Sequence, residues 1–211
     1  MGDTGLFDQH ITKLKSKLNS GLFSLATSKE NAPLNVRMSI YRALFESHLR
    51  FANVVFGSAP QQKIHELFIL QKKAIRHVAN TFYLAHTDPL FQSLKLLEIE
   101  DLISHSRASF VHKWRLGYLP RSFHRTFFSF INSDDFGRRD DPLTLSTPSD
   151  LPKKLSRSPY LMTCQAWNAV PYEIKIIQKH SEFKKALSEH FFSKYNKFCT
   201  IDHCRACIHS Y

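Results

Sequence analysis

Apolar residues recur every three or four positions along most of this chain, the spacing that puts side chains on one face of an α-helix. Ile11, Leu14, Leu18, Leu22 and Leu25 form the first stripe and predict a helix over 8–25 with Asp8 as its N-cap. Lys13, Lys15 and Lys17 fall off that stripe. Ala32-Pro33 interrupts it, because a residue before proline avoids the α region. A second helix is predicted over 35–55, with Val36, Ile40, Leu44, Phe51 and Val55 as its apolar face and Gly57-Ser58-Ala59-Pro60 as its stop. A third, over 61–78, turns Ile64, Leu67, Phe68, Ala74, Ile75 and Val78 inward and carries Lys63, Lys72, Lys73, Arg76 and His77 on its other sides.

A short helix over 90–96 follows, then a longer one capped by Asp101 and running to Leu116. Its stripe is Leu102, Ser106, Phe110 and Trp114, and Gly117 stands where a helix end favours positive φ. Residues 132–158 lose this periodicity. Turn formers dominate there, as in Ser146-Thr147-Pro148-Ser149, so the stretch reads as a long loop with one short extended piece over 143–145. Pro171 starts a short helix with Ile174 and Ile177, and a last helix after Ser181 buries Phe183, Leu187, Phe191 and Tyr195. The expected fold is all-α, with about seven helices around one core. The expected segments are a helical domain over 1–131, a loop or linker over 132–158, a helical segment over 159–196 packed on the same core, and a Cys/His-rich tail over 197–211.

Composition sharpens this picture in two ways. Glycine is scarce (6 of 211 residues), which argues against a glycine-rich phosphate loop or a turn-dense β-sandwich. Lys+Arg total 29 against 18 Asp+Glu, a formal net charge of +11, which favours a polyanionic partner. The apolar runs are too short to span a bilayer, so no membrane partner is expected. Nothing near Met1 resembles a secretory leader, and an intracellular location, nucleus or cytoplasm, is the expectation.

Candidate chemistry is thin. Asp134-Asp135 has the look of a metal-holding carboxylate pair, but it lies in the turn-rich stretch without the rigid strands such a pair needs. Asp135-Phe136-Gly137 spells a kinase motif with no glycine-rich or catalytic loop to accompany it. No catalytic set is therefore expected. The tail differs: Cys199, Cys204, Cys207 and His209, with His203 nearby, are candidate zinc ligands, although the Cys199–Cys204 spacing is looser than a usual knuckle. Aromatic and basic residues interleave at Phe110-Val111-His112-Lys113-Trp114-Arg115 and at Phe123-His124-Arg125. That pattern suits base stacking with phosphate neutralisation, but at helical spacing Phe110 and Trp114 read first as core.

Several segments, in order and across most of the chain, resemble the region downstream of the palm in reverse transcriptases of non-LTR retrotransposons of the jockey-like kind. They are Gln9-His10-Ile11 with Gly21-Leu22, Tyr41-Arg42-Ala43-Leu44 with Ser47-His48-Leu49-Arg50-Phe51, and Val55-Phe56-Gly57. Leu70-Gln71-Lys72-Lys73-Ala74-Ile75-Arg76, His86-Thr87-Asp88-Pro89-Leu90-Phe91 and Gly117-Tyr118-Leu119-Pro120 follow, then Ala166-Trp167-Asn168-Ala169-Val170-Pro171 and Phe183-Lys184-Lys185-Ala186-Leu187. The resemblance implies a thumb-like module that grips a template–primer duplex or RNA within an RNA-directed DNA polymerase. Lys13, Lys15, Lys17, Lys63, Lys72, Lys73, Arg76, Lys113 and Arg115 would then meet phosphates. The family's aromatic-Ala-Asp-Asp motif is not in this sequence, so this chain is not expected to polymerise by itself. The alternative is a vestigial or domesticated helical domain that binds protein and has no nucleic-acid role.

Overall fold

The computed structural model describes residues 4–123, 128–130, 141–147 and 157–195. Among them the fold is all-α and contains no strand; one antiparallel bridge joins Phe130 to Leu145. The chain divides into two compact units, Met1–Leu102 with Phe191–Tyr211, and Ile103–His190.

The first unit is built on three long helical runs: α1 (Thr4–Ser28), the broken run from α2 (Leu34–Tyr41) through a π-turn (Arg42–Glu46) to α3 (Ser47–Arg50), and α5 (Gln61–Ala79). Lys29 lies near Arg37 and Gly21 near Leu44, so the broken run returns antiparallel to α1. Pairs at a near-constant offset, Asp8–Lys63, Lys15–Glu66 and Lys29–Thr81, run α5 parallel to α1. Ile11, Leu14, Leu18 and Leu25 are buried as the stripe predicts.

The second predicted helix differs from expectation in register. Its buried face is Arg37, Tyr41, Phe45 and Leu49, one residue on from the predicted Val36-Ile40-Leu44 line; Val36 and Leu44 are 42% and 44% exposed. In a straight α-helix, residues four apart drift by about 40° per step, so Leu49 would leave the face of Arg37 by about 120°. The π-turn inserts one extra residue and takes back about 100° of that drift. The run then breaks at Ala52, which is left-handed (φ 55°), and α4 (Asn53–Phe56) restarts it.

Arg37 is buried because its guanidinium serves helix ends. Nε donates to the Val78 carbonyl (2.8 Å) and Nη1 to the Lys29 carbonyl (3.2 Å) and to the Ala32 carbonyl. These carbonyls lie at or just past the C-terminal ends of α1 and α5, where partial negative charge collects. Buried Gln71 donates to the Tyr41 hydroxyl (3.0 Å) and to the Leu97 carbonyl (2.9 Å), tying α5 to α2 and to the segment around Leu97. α6 (Asp88–Leu94) supplies Phe91 to the same core.

Three residues expected at helix starts lie inside the helices instead. Asp8 lies within α1 and faces Lys63 at 3.7 Å. Asp101 lies within α7 (Ile99–Arg115) and accepts from the Tyr195 hydroxyl at 2.5 Å. Ser181 lies within α10 (His180–Phe192). Gly117, by contrast, has φ 74°, as the sequence predicts for a helix end.

The second unit surrounds the C-terminal part of α7. That helix is buried almost all round, through Ile103, His105, Arg107, Ala108, Ser109, Val111 and His112, a wider contact than the Leu102-Ser106-Phe110-Trp114 line predicts. α8 (Pro159–Asn168) starts at Ser158, whose hydroxyl accepts from the Leu161 N–H (3.2 Å). The 141–147 piece is held by α8: the Trp167 indole N–H donates to the Leu143 carbonyl (2.7 Å), and Asn168 pairs with both backbone groups of Leu145 (2.8 and 3.0 Å). Leu145 is buried, so this piece of the expected surface loop is part of the core. In α9 (Tyr172–Lys175), fully buried Lys175 reaches Asp141 at 2.5 Å, satisfying a charge that burial would otherwise make costly.

At Gly21 an added Cβ would sit 2.7 Å from the Leu44 carbonyl oxygen, backbone that has no room to move. Gly21→Ala should therefore destabilise the protein by about 1–2 kcal/mol, because overpacking outweighs the helix propensity that alanine gains. Urea unfolding measures it, and an unchanged or higher midpoint would contradict the close approach.

Candidate nucleic-acid interface

The nine cations that the sequence singles out separate into two groups. Lys13 and Lys17 on α1, Lys73 on α5 and Lys113 on α7 are exposed. The others have local work. Lys15 donates to Glu66 (2.8 Å), which holds that carboxyl below its usual range, and Lys63 faces Asp8. Lys72 lies over the Phe68 ring, 4.3 Å from its centroid. Arg76 donates through Nε to the Ala85 carbonyl (2.8 Å), and Arg115 through Nη2 to the Ile177 carbonyl (3.1 Å). Burial lowers the pKa of both guanidinium groups without discharging them.

Two of the exposed lysines meet at one groove. Lys13 and Lys17, one turn apart on α1, line it with His10 and Leu14, and Ser47, His48 and Phe51 close it from the antiparallel run. Its volume is about 440 Å³, and no carboxylate lines it. Leu14 is buried beneath while Phe51 is 71% exposed. Phe51 is extended (φ −66°, ψ 119°) between the end of α3 and left-handed Ala52, so it stands at a chain reversal. A second groove of about 420 Å³ carries Arg42, Arg50 and Lys95, but there Glu46 accepts from Arg50 (2.7 Å). Of these two grooves, the first is the one whose lining holds no carboxylate to compensate its cations.

Sequence reasoning placed Lys13 and Lys17 but not His10, His48 or Phe51. The signal was present: Phe51 does not continue the four-residue stripe of Arg37, Tyr41, Phe45 and Leu49. In the second unit, Trp114 is half-buried, donates to the Phe123 carbonyl (3.0 Å) and packs on Phe128 and Phe130, so the interleaved segment there is an aromatic core. His124, Arg125, Asp134 and Asp135 lie outside the described residues, as do Cys199, His203, Cys204, Cys207 and His209. Among the described residues no group of three metal-ligating side chains occurs, and no helix is long and apolar enough to cross a membrane.

Two titratable clusters adjoin these cations. Beside Lys72, burial and the neighbouring Asp88 and Asp101 push the Glu98 carboxyl up to about 7. Its backbone N–H donates to the Tyr195 hydroxyl (3.0 Å). Beside Lys113 and Arg115, His112 and His180 bring their Nδ1 atoms to 3.0 Å. His112 Nε2 lies 2.7 Å from the Ile177 carbonyl, so Nε2 carries the proton and Nδ1 is left to accept from His180. Both rings are then neutral. Burial, with His112, Lys113 and Lys184 adding to it, pulls His180 down to about 4.

No protein-family model, curated protein or solved structure matches this chain.

The histidine pair sets a pH dependence. The folded protein resists protonation at His180, whereas the unfolded chain takes it up near pH 6.5. Its contribution is therefore present at neutral pH and lost as pH falls from about 6.5 toward 4. Glu98 acts oppositely, its contribution fading as pH rises through about 7. The His180→Gln variant should lose less stability than the native chain between pH 7 and pH 4.5 in urea titrations; parallel losses would contradict the neutral pair.

Proposed function

We propose that this protein binds nucleic acid through the α1 groove of its first unit, as a thumb-like module of the kind that non-LTR retrotransposon reverse transcriptases carry after the palm. The observation that carries the reading is the groove itself: Lys13 and Lys17 on one face, His10 and His48 beside them, and no carboxylate in the lining. A net charge of +11 adds long-range attraction for a polyanion. The family reading rests on the order of the resembling segments along the chain. Gly21, Tyr41, Gln71, Trp167 and Asn168 all belong to them, and each makes a specific close contact or hydrogen bond that holds its unit together. Contact through phosphates predicts binding that tolerates sequence and weakens with salt.

A second reading has its own observation. Val36 and Leu44 are exposed on the broken run and Val55 on α4, and Phe82, Tyr83 and Leu84 are exposed after α5. Apolar surface of that kind suits a protein partner, and in that reading the first unit is a helical interaction domain.

Fluorescence anisotropy across a salt series separates the two. The native chain should bind RNA or an RNA–DNA duplex at low salt with a clear negative slope. Lys13→Gln with Lys17→Gln should weaken binding and flatten the slope by about 1.5, two phosphate contacts at roughly 0.7–0.9 each. Lys63→Gln, whose cation already faces Asp8, should change little. No binding at low salt overturns the proposal.

A further inference from the structure

The groove has an apolar platform as well as a cationic edge, and that combination specifies more than a polyanion. Phe51 presents its ring to solvent at the mouth, where its face is open to a planar aromatic partner. The backbone fixes this placement: the residue is extended and the next is left-handed, a conformation that alanine rarely adopts. The left-handed residue next to the displayed ring holds the chain reversal that keeps Phe51 at the surface. The covered Nε2 of His10, which stacks near Phe56, has no hydrogen-bond partner among the described residues.

We propose that this groove takes a single-stranded nucleic-acid segment, one base stacked on the Phe51 ring and the adjoining phosphates on Lys13 and Lys17. The proposal rests on the nucleic-acid reading above and narrows it. Within a duplex both faces of each base are covered by its neighbours, so an exposed ring stacks only on an unpaired or terminal base. Lys13 and Lys17 are one helical turn apart on the same face, so both reach the backbone of one strand. A volume of about 440 Å³ is enough to take a base with its sugar. Ser47 and His48 offer polar groups at the mouth without a carboxylate to repel phosphate.

Anisotropy with labelled twelve-nucleotide oligouridine and a twelve-base-pair RNA duplex tests this, using Phe51→Ala, Phe51→Trp and Lys13→Gln with Lys17→Gln. Phe51→Ala should weaken oligouridine binding by about tenfold, leave its salt slope unchanged and leave the duplex nearly untouched. Phe51→Trp should restore binding, and its added fluorescence should be quenched by the oligomer. Equal losses on both ligands, no loss on either, or an unquenched tryptophan overturns the stacking platform while the lysine variant still reports the phosphate contacts. Failure of the native chain to bind either ligand overturns the underlying reading as well. Because Phe51 is exposed, both substitutions should leave the thermal midpoint unchanged, and a shifted midpoint would itself contradict the placement of the ring.

Discussion

The close approach of α1 to the π-turn at Gly21 is the constraint on which the first unit depends. With no Cβ at position 21, the Leu44 carbonyl comes within van der Waals reach of the α1 backbone. The extra residue of the π-turn then keeps Arg37, Tyr41, Phe45 and Leu49 on one buried face despite their four-residue spacing. One end of this antiparallel pair is closed by Arg37, which draws in three carbonyls, two from the turn after α1 and one from the end of α5. The other end opens into the groove, with Lys13 and Lys17 facing Ser47, His48 and Phe51. The groove and the Arg37 cluster are therefore two ends of one pairing: the run turns away at Ala52, and Phe51 is exposed at that turn.

Helix positions were legible because periodicity reports burial wherever a stripe is purely apolar. The α1 stripe and the inward face of α5 are examples, with Ile64, Leu67, Ala74, Ile75 and Val78 all buried. The second helix was misread by one residue because two neighbouring lines both recur every four positions. The one carrying Val36 and Leu44 is the more apolar, and the one carrying Arg37 is buried. Hydrophobicity favours the wrong line because the structure buries a guanidinium to satisfy helix-end carbonyls, a demand that composition does not register. α7 shows the same effect, burying His105, Arg107 and His112 where a stripe of apolar letters was sought.

The candidate site was half legible for a related reason. Sequence identifies cations but not their partners. Lys15 and Lys63 sit opposite acids, and Arg76 and Arg115 serve carbonyls, each partner being eight or more residues away. That two of the exposed lysines, Lys13 and Lys17, share one groove becomes visible only when the antiparallel run is laid against α1. In the second unit, Trp167 and Asn168 give the turn-rich 141–147 piece its backbone partners, which is why a stretch without periodicity still contributes a buried leucine.

The central claim is that the α1 groove is where nucleic acid binds. Backbone amide shifts, followed by NMR as unlabelled oligouridine is added to isotopically labelled protein at low salt, test it most directly. The account predicts the largest changes at His10, Lys13, Lys17, His48 and Phe51, and small ones at Val36, Leu44 and the 82–84 tip. Changes centred on those apolar positions, or on the His112–His180 region, would contradict it.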